Sequence, residues 1–310
     1  MRRLLVVLAV VTAAAGVFAR CAHAAPAAPS GPGHAIARKG QKLWYEVRGN
    51  GGQTPLVLCN GGPGFDHTYE LCSDAWDQLA KTRPVVLWDQ RGNGRSGPLV
   101  AGATCTLIDQ IEDLEAIRVA LGADKIELMG HSWGGYLAMV YASRYPQHVA
   151  HLMLCDSASP KWTDTDFLFK DIFPEGVEDQ AVLDARDGLG DPEAAKQSLH
   201  EYLGMLFVAA QKRDEFLAHA KDYAYSRAVN ETLNAELEKK DNWPLLPGLR
   251  MPTLVMTGRF DINVAPATAY KIHKAIPDSR FVVFEKSGHL PFFEETSAFV
   301  GAVEAFLSGH

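Results

Sequence analysis

"KIELMGHSWGGYLAMVYASRYP", residues 125–146, decides how the chain is read. Up to Gly130 it is an apolar run of strand length; from Trp133 apolar residues recur at helical spacing until Pro146 ends the pattern. Between the two, Gly130-His131-Ser132-Trp133-Gly134 fits G-x-S-x-G, a serine on a sharp strand-to-helix turn. Such a turn lifts the side chain above a sheet, and flanking glycines relieve crowding around a strained residue. A serine hydroxyl is a weak nucleophile until a base accepts its proton, so a catalytic Ser132 requires a base and an acid elsewhere in the chain.

Working outward, the same strand–helix order repeats. "KLWYEVRG" alternates like an exposed strand, and "TPLVLCNGGPG" is an apolar run ending in glycines. "RPVVLWDQRGNGRS" reads as strand then loop, "LIDQIEDLEAIRVALGA" as a helix and "VAHLMLCDS" as a strand. Residues 157–247 break the pattern, being helical in character and rich in charged and aromatic residues. "MPTLVMTGRFD" and "SRFVVFEKSGH" then restore strands, and "TSAFVGAVEAFLSG" closes the chain as a helix. Continuous apolar strands alternating with helices predict an α/β fold with a mostly parallel sheet covered on both faces. The predicted organisation is a core in two parts, 35–156 and 248–310, with a helical cap at 157–247 over the C-terminal edge of the sheet.

The 310 residues are 47% hydrophobic and 22% charged, an ordinary globular composition. Residues 1–24 stand apart: Arg2 and Arg3 precede an apolar run, and Ala22-His23-Ala24 forms an A-x-A cleavage site. This predicts a secretory signal peptide, followed by a flexible leader at 25–34 and an exported, periplasmic or secreted, mature chain. Cleavage after Ala24 leaves 27 basic against 37 acidic residues, a balance of −10. An acidic exported chain argues against nucleic-acid partners, and no later segment is long and apolar enough to remain in a membrane. Cys59, Cys72, Cys105 and Cys155 remain, without zinc-ligand spacing. Cys59 and Cys155 end apolar runs and read as buried; an oxidising compartment would permit a Cys72–Cys105 bridge.

Of the histidines, His289 in "EKSGHLPFFEE" follows the last predicted strand, where it could reach the edge of the sheet that carries Ser132. His131, adjacent to the serine, is expected to point away from it. Asp261 ends "TLVMTGRFD" and is the candidate to orient the imidazole; Asp156, after "LMLCD", is the alternative carboxylate. An oxyanion would need two backbone donors: the N–H of Trp133, helped by the helix dipole, and one from "NGGPG", where Gly62 is the candidate because Pro63 has no N–H.

"NGGPG", "WDQRGNGRS", "GHSWGG", "GRFD" and "SGHLPFFEE" together resemble the α/β-hydrolase superfamily, and more narrowly its proline iminopeptidase branch, from about Gln41 to Leu307. The chain order Ser132, Asp261, His289 agrees with that fold. Asn60 stands where the family usually has histidine. In "WDQRGNGRS" the resemblance implies scaffold roles for Asp89 and Arg91. The family's aminopeptidases hold the substrate's free amine with acidic residues; Glu231 falls near one such position, while Ile262 occupies another and cannot bind an ammonium. The resemblance implies an exported serine hydrolase that releases N-terminal proline or a similar residue from small peptides, with no cofactor or metal. Two other readings accompany it: an esterase, lactonase or amidase of the same fold with no need for a free amine, and a noncatalytic ligand-binding protein. The complete serine, aspartate and histidine set argues against the last. Epoxide or haloalkane chemistry would want aspartate at position 132.

Overall fold

The computed structural model describes residues 33–309 apart from 166 and 220–222. The expected signal peptide and most of the expected leader lie outside the described residues.

Eight strands form one sheet: β1 (His34–Arg38), β2 (Gln41–Arg48), β3 (Leu56–Cys59), β4 (Val85–Asp89), β5 (Ile126–His131), β6 (Val149–Cys155), β7 (Thr253–Gly258) and β8 (Arg280–Phe284). Their spatial order is β1-β2-β4-β3-β5-β6-β7-β8. β2 runs antiparallel to β1 and β4, and the pairs from β4 to β8 are parallel. β2 differs from the expectation of an exposed strand. A hairpin turning at Lys39 and Gly40, both at positive φ, lays β1 along its outer edge, and four consecutive residues from Leu43 to Glu46 are buried.

β3, β4, β5 and β7 are buried along their whole length, as parallel strands covered on both faces must be. Alternate side chains feed separate cores. Val57 and Trp88 face the layer of α2 (Leu107–Ala120) and α3 (Trp133–Arg144). Leu56, Leu58 and Leu87 face α1 (Ala75–Leu79) and the closing helix. α2 begins in a capping box, in which Thr106 and Asp109 satisfy each other's free backbone donors.

Between β6 and β7 the described residues form helices, turns and one isolated bridge from Tyr225 to Phe65. The helices are α4 (Phe169–Ile172), α5 (Pro174–Gly188), α6 (Pro192–Gly204), α7 (Ala210–His219) and α8 (Arg227–Leu237). α9 (Pro266–Ala275), α10 (Pro291–Glu294) and α11 (Thr296–Leu307) complete the chain. Leu203 and Phe216 join one core, and Val229, Leu233 and Leu237 join the other, so apolar stripes fasten the segment to the sheet layers. No described helix is long and apolar enough to cross a membrane.

The four described cysteines are free, so the Cys72–Cys105 bridge that the compartment would permit is not formed. The sheet keeps them apart: Cys105 packs in the α2 layer, while Cys72 lies against the opposite core with its Sγ 3.1 Å from the Tyr223 hydroxyl. Cys59 and Cys155 are buried in strands, as expected.

Candidate active site

The turn after β5 carries the expected strain. Ser132 has φ 57° and ψ −121° between the end of β5 and the first turn of α3. Its N–H donates to Cys155 O at 3.1 Å, and its carbonyl accepts from Gly135 at 2.9 Å and Ala158 at 3.0 Å. Those bonds clamp the residue between β6 and the helix. A side chain at Gly134 would collide with the Cys59 carbonyl, so glycine is what lets α3 start this close to β3.

His289 and Asp261 meet below the same cavity. His289 Nδ1 lies 2.8 Å from Asp261 Oδ2, both groups being buried. Asp261 Oδ1 also accepts the N–H groups of Asn263 at 2.8 Å and Val264 at 2.9 Å, which holds the carboxylate in place. Ser132, His289, Gly61 and Gly62 line one cavity, walled by Phe65, Tyr202, Leu203, Leu206 and Leu290. The serine and the imidazole share this cavity without a hydrogen bond between them. The Ser132 hydroxyl makes no hydrogen bond among the described residues, and His289 Nε2 instead meets Asn263 Nδ2 at 2.9 Å. The cause is local: the chain from Asp261 to Val264 wraps around the aspartate, which carries the Asn263 amide up beside the imidazole.

The loop Asn60–Gly64 is tied to its surroundings by a chain of hydrogen bonds. Asn60 Nδ2 donates to Phe65 O at 2.8 Å, Gln90 Nε2 donates to Asn60 O at 3.0 Å, and Trp133 Nε1 donates to Gln90 Oε1 at 2.9 Å. Asn60, in place of the family's histidine, is thus the link from this loop to the loop after β4 and on to the serine turn. The amides of Gly62 and Trp133 have no hydrogen-bond partner among the described residues, as oxyanion donors require. Pro63 follows a cis bond and cannot donate.

His131 does not point away. Its ring lies 4.6 Å, centroid to centroid, from that of His289. Its Nε2 is 2.8 Å from the His289 carbonyl, which can only accept, so Nε2 carries the proton. Nδ1 therefore accepts from the Tyr69 hydroxyl at 2.7 Å, and that hydroxyl accepts from Gly61 N–H at 2.7 Å. Burial, then the neighbouring His289, holds His131 well below the usual histidine range, so it is neutral. The reason for the miss is the serine turn, whose positive φ interrupts the strand alternation that would have put residues 131 and 132 on opposite faces.

Asp89 and Arg91 lie outside the cavity lining. Asp89 Oδ1 accepts from His67 N–H at 3.0 Å and lies 2.7 Å from His67 Nδ1, while Oδ2 accepts from Arg95 N–H at 2.7 Å. Arg91 grips Asp113 through two hydrogen bonds of 2.5 and 2.6 Å. Glu231 is the candidate the fold does not bring in. It is exposed on α8 and is not among the residues that line the cavity. Val229, Leu233 and Leu237 form the buried stripe of that helix, and two residues along from Val229 is the far side. Its neighbour Asn230 faces inward instead, with Nδ2 donating to Pro63 O at 2.8 Å. Ile262 is buried and apolar.

Asp156 is not the imidazole's partner, but its carboxyl lies within 4.8 Å of that of Asp261. The donor atoms of Asp156, Asp261 and His289 lie within 4.8 Å of one another, a spacing that could hold a metal ion. Those atoms are committed to one another and to backbone amides, which is the pattern of a hydrogen-bonded relay.

Residues 54–296 match the family described as the alpha/beta hydrolase fold. The chain belongs to the α/β-hydrolase fold family. It is 32% identical over 271 residues to a proline iminopeptidase of Heyndrickxia coagulans, covering 84% of this chain and 92% of that one. It is 29% identical over 286 residues to a proline iminopeptidase of Clostridioides difficile, covering 88% and 96%. A thermophilic esterase from Thermogutta terrifontis superposes with a TM-score of 0.67 at 25% identity, covering 90% of this chain and 99% of that structure. An alpha/beta fold family hydrolase from Bacillus anthracis superposes at 0.72 with 24% identity, covering 89% and 99%, and supports the fold alone. The chain is an α/β-fold serine hydrolase, proline iminopeptidase-like in sequence.

Proposed function

We propose that this hydrolase works through an acyl-enzyme on Ser132. The buried 2.8 Å His289–Asp261 pair, opening on the same cavity as the strained serine, carries the proposal. Ser132 Oγ attacks a substrate carbonyl while Nε2 of His289, released by Asn263, takes the hydroxyl proton. Asp261 holds the imidazole in the Nδ1–H tautomer and stabilises its charged form. The amides of Trp133 and Gly62 receive the oxyanion; His289 then protonates the leaving group, and water attacks the ester to regenerate Ser132. We further propose that residues 1–24 direct export and that the mature chain acts outside the cytoplasm.

The cavity favours an uncharged acyl group. Its wall is aromatic and aliphatic, and no carboxylate lines it among the described residues. A desolvated ammonium without an anion costs several kcal/mol, on the order of 2–5 when a pair is broken. Small esters, lactones or amides therefore fit the site best. Release of N-terminal proline is the second reading, favoured by the similarity to the Heyndrickxia and Clostridioides enzymes.

The test is a fluorophosphonate probe followed by a substrate panel. Ser132 is labelled, and Ser132→Ala loses labelling together with roughly 10⁶-fold in turnover; a verified Ser132→Ala protein with full activity overturns the acyl-enzyme. Short-chain acyl esters are hydrolysed faster than prolyl arylamide, and Glu231→Gln changes neither. Preference for the prolyl arylamide, with a selective loss in Glu231→Gln, establishes the second reading.

A further inference from the structure

Asp156 is a buried carboxyl beside the candidate centre to which the proposed mechanism gives no task. It directly follows β6 with φ 45°, a conformation uncommon outside glycine. Its N–H donates to Met256 O at 2.9 Å, and its Oδ1 accepts from Gly258 N–H at 2.8 Å and from the Thr257 hydroxyl at 3.2 Å. β6 and β7 are sheet neighbours, so these bonds hold an Asp156 carboxyl oxygen within 4.8 Å of one of Asp261.

Two buried carboxyl groups this close disfavour each other's ionisation, so one of them is held in its neutral form. The kind of donor each receives, and on which oxygen, decides which keeps the proton. Asp261 receives three N–H groups, from Asn263, Val264 and His289, and so holds the negative charge. The bonds to Asp156 converge on Oδ1; Oδ2 receives only the weak Cys155 thiol at 3.3 Å, which leaves it free to carry a proton.

We infer that Asp156 is a neutral carboxylic acid that donates a hydrogen bond to Asp261, a positioning residue that fixes the aspartate and moderates its hold on the His289 proton. Burial, and then the Asp261 charge, push the Asp156 acid well above the usual carboxylate range, in keeping with that geometry. Among the titratable groups close to this cluster, Glu294 accepts the Gly288 N–H at 2.7 Å and is pushed up by burial to about 7. Burial raises the Cys155 thiol of β6 and the Tyr202 phenol of α6, and it lowers His131 at the end of β5. The inference rests on His289 being the general base of the proposed mechanism.

The experiment measures the rate of fluorophosphonate labelling of Ser132 against pH in the full chain and in two variants. Asp156→Asn keeps a neutral donor of the same shape, so the acid limb of the profile stays where it is in the wild type. Asp156→Ala removes the donor, so Asp261 binds the imidazolium more strongly and the limb moves up by about 1 pH unit. If Asp156 were ionised, Asp156→Asn would delete a negative charge beside His289, and the limb would move down by about 1 pH unit or more. That downward shift overturns the inference, as does an Asp156→Ala profile that coincides with the wild type. Where Asp156→Ala fails to fold, Asp156→Asn decides alone by the same criterion. Failure of the wild type to label on Ser132 would overturn the nucleophile assignment instead, so the two failures are distinguishable.

Discussion

Tyr69→Phe deletes one oxygen at the junction of three segments that the mechanism needs in register. The hydroxyl accepts from Gly61 N–H at 2.7 Å and donates to His131 Nδ1 at 2.7 Å. His131 in turn donates to the His289 carbonyl, so the phenol joins the oxyanion loop, the serine turn and the base. Phenylalanine preserves the ring packing against Phe65, Tyr223 and Phe292, so the loss is confined to polar groups. His131 cannot turn to find another partner without abandoning the His289 carbonyl. Two buried polar groups are left unpaired, each costing about 1–3 kcal/mol, so a loss of about 2–4 kcal/mol in unfolding free energy is expected after some solvent access from the cavity. The freed Gly61 amide is adjacent to Gly62, and loosening one oxyanion donor lowers kcat by roughly 10–100-fold, short of the 10²–10³ for its removal. Urea denaturation at pH 7 and ester turnover on the same preparations measure both effects. A Tyr69→Phe protein within about 0.5 kcal/mol of wild type and fully active would refute the claim that this network positions the site.

Glu70 is buried with Oε2 unpartnered among the described residues, and burial followed by repulsion from Asp89 and Asp66 pushes its carboxyl up to about 8. The folded state therefore keeps a proton that the unfolded state gives up above about 4.5, so its contribution to stability falls as pH rises from 4.5 to 8. Glu70→Gln removes that dependence and is expected to stabilise by roughly 2 kcal/mol at pH 7 and not at all below pH 4.5, read from urea midpoints across pH; parallel profiles would refute it. Asn263→Ala frees His289 Nε2 for Ser132, so fluorophosphonate labelling should accelerate by about 2–10-fold. A slower rate would mean instead that Asn263 steadies the imidazole.

Much of the architecture was legible in local pattern, because it depends on residues close together in the chain. The apolar runs at β3, β4, β5 and β7 required burial on both faces, and the sheet supplies it. The glycines around Ser132 announced a turn too crowded for side chains, and Ser132 has the positive φ that such a turn imposes. Asp261 and His289 stood out because each follows a strand at the same edge of a parallel sheet, and they meet at 2.8 Å.

What lay beyond reach depends on how distant segments pack. Distance along the chain brought Glu231 into consideration, but the docking of Val229, Leu233 and Leu237 sets the rotation of α8 and turns Glu231 to solvent. No periodicity pairs Tyr69 with His131, since a 3₁₀ turn and a strand end meet there only once the sheet is assembled. Asn263 reaches the imidazole only because the chain closes around Asp261. Asp156 and Asp261 appeared as rivals for one role because each ends a strand. Only the adjacency of β6 and β7 brings them within 4.8 Å, where two buried carboxyls disfavour each other's charge.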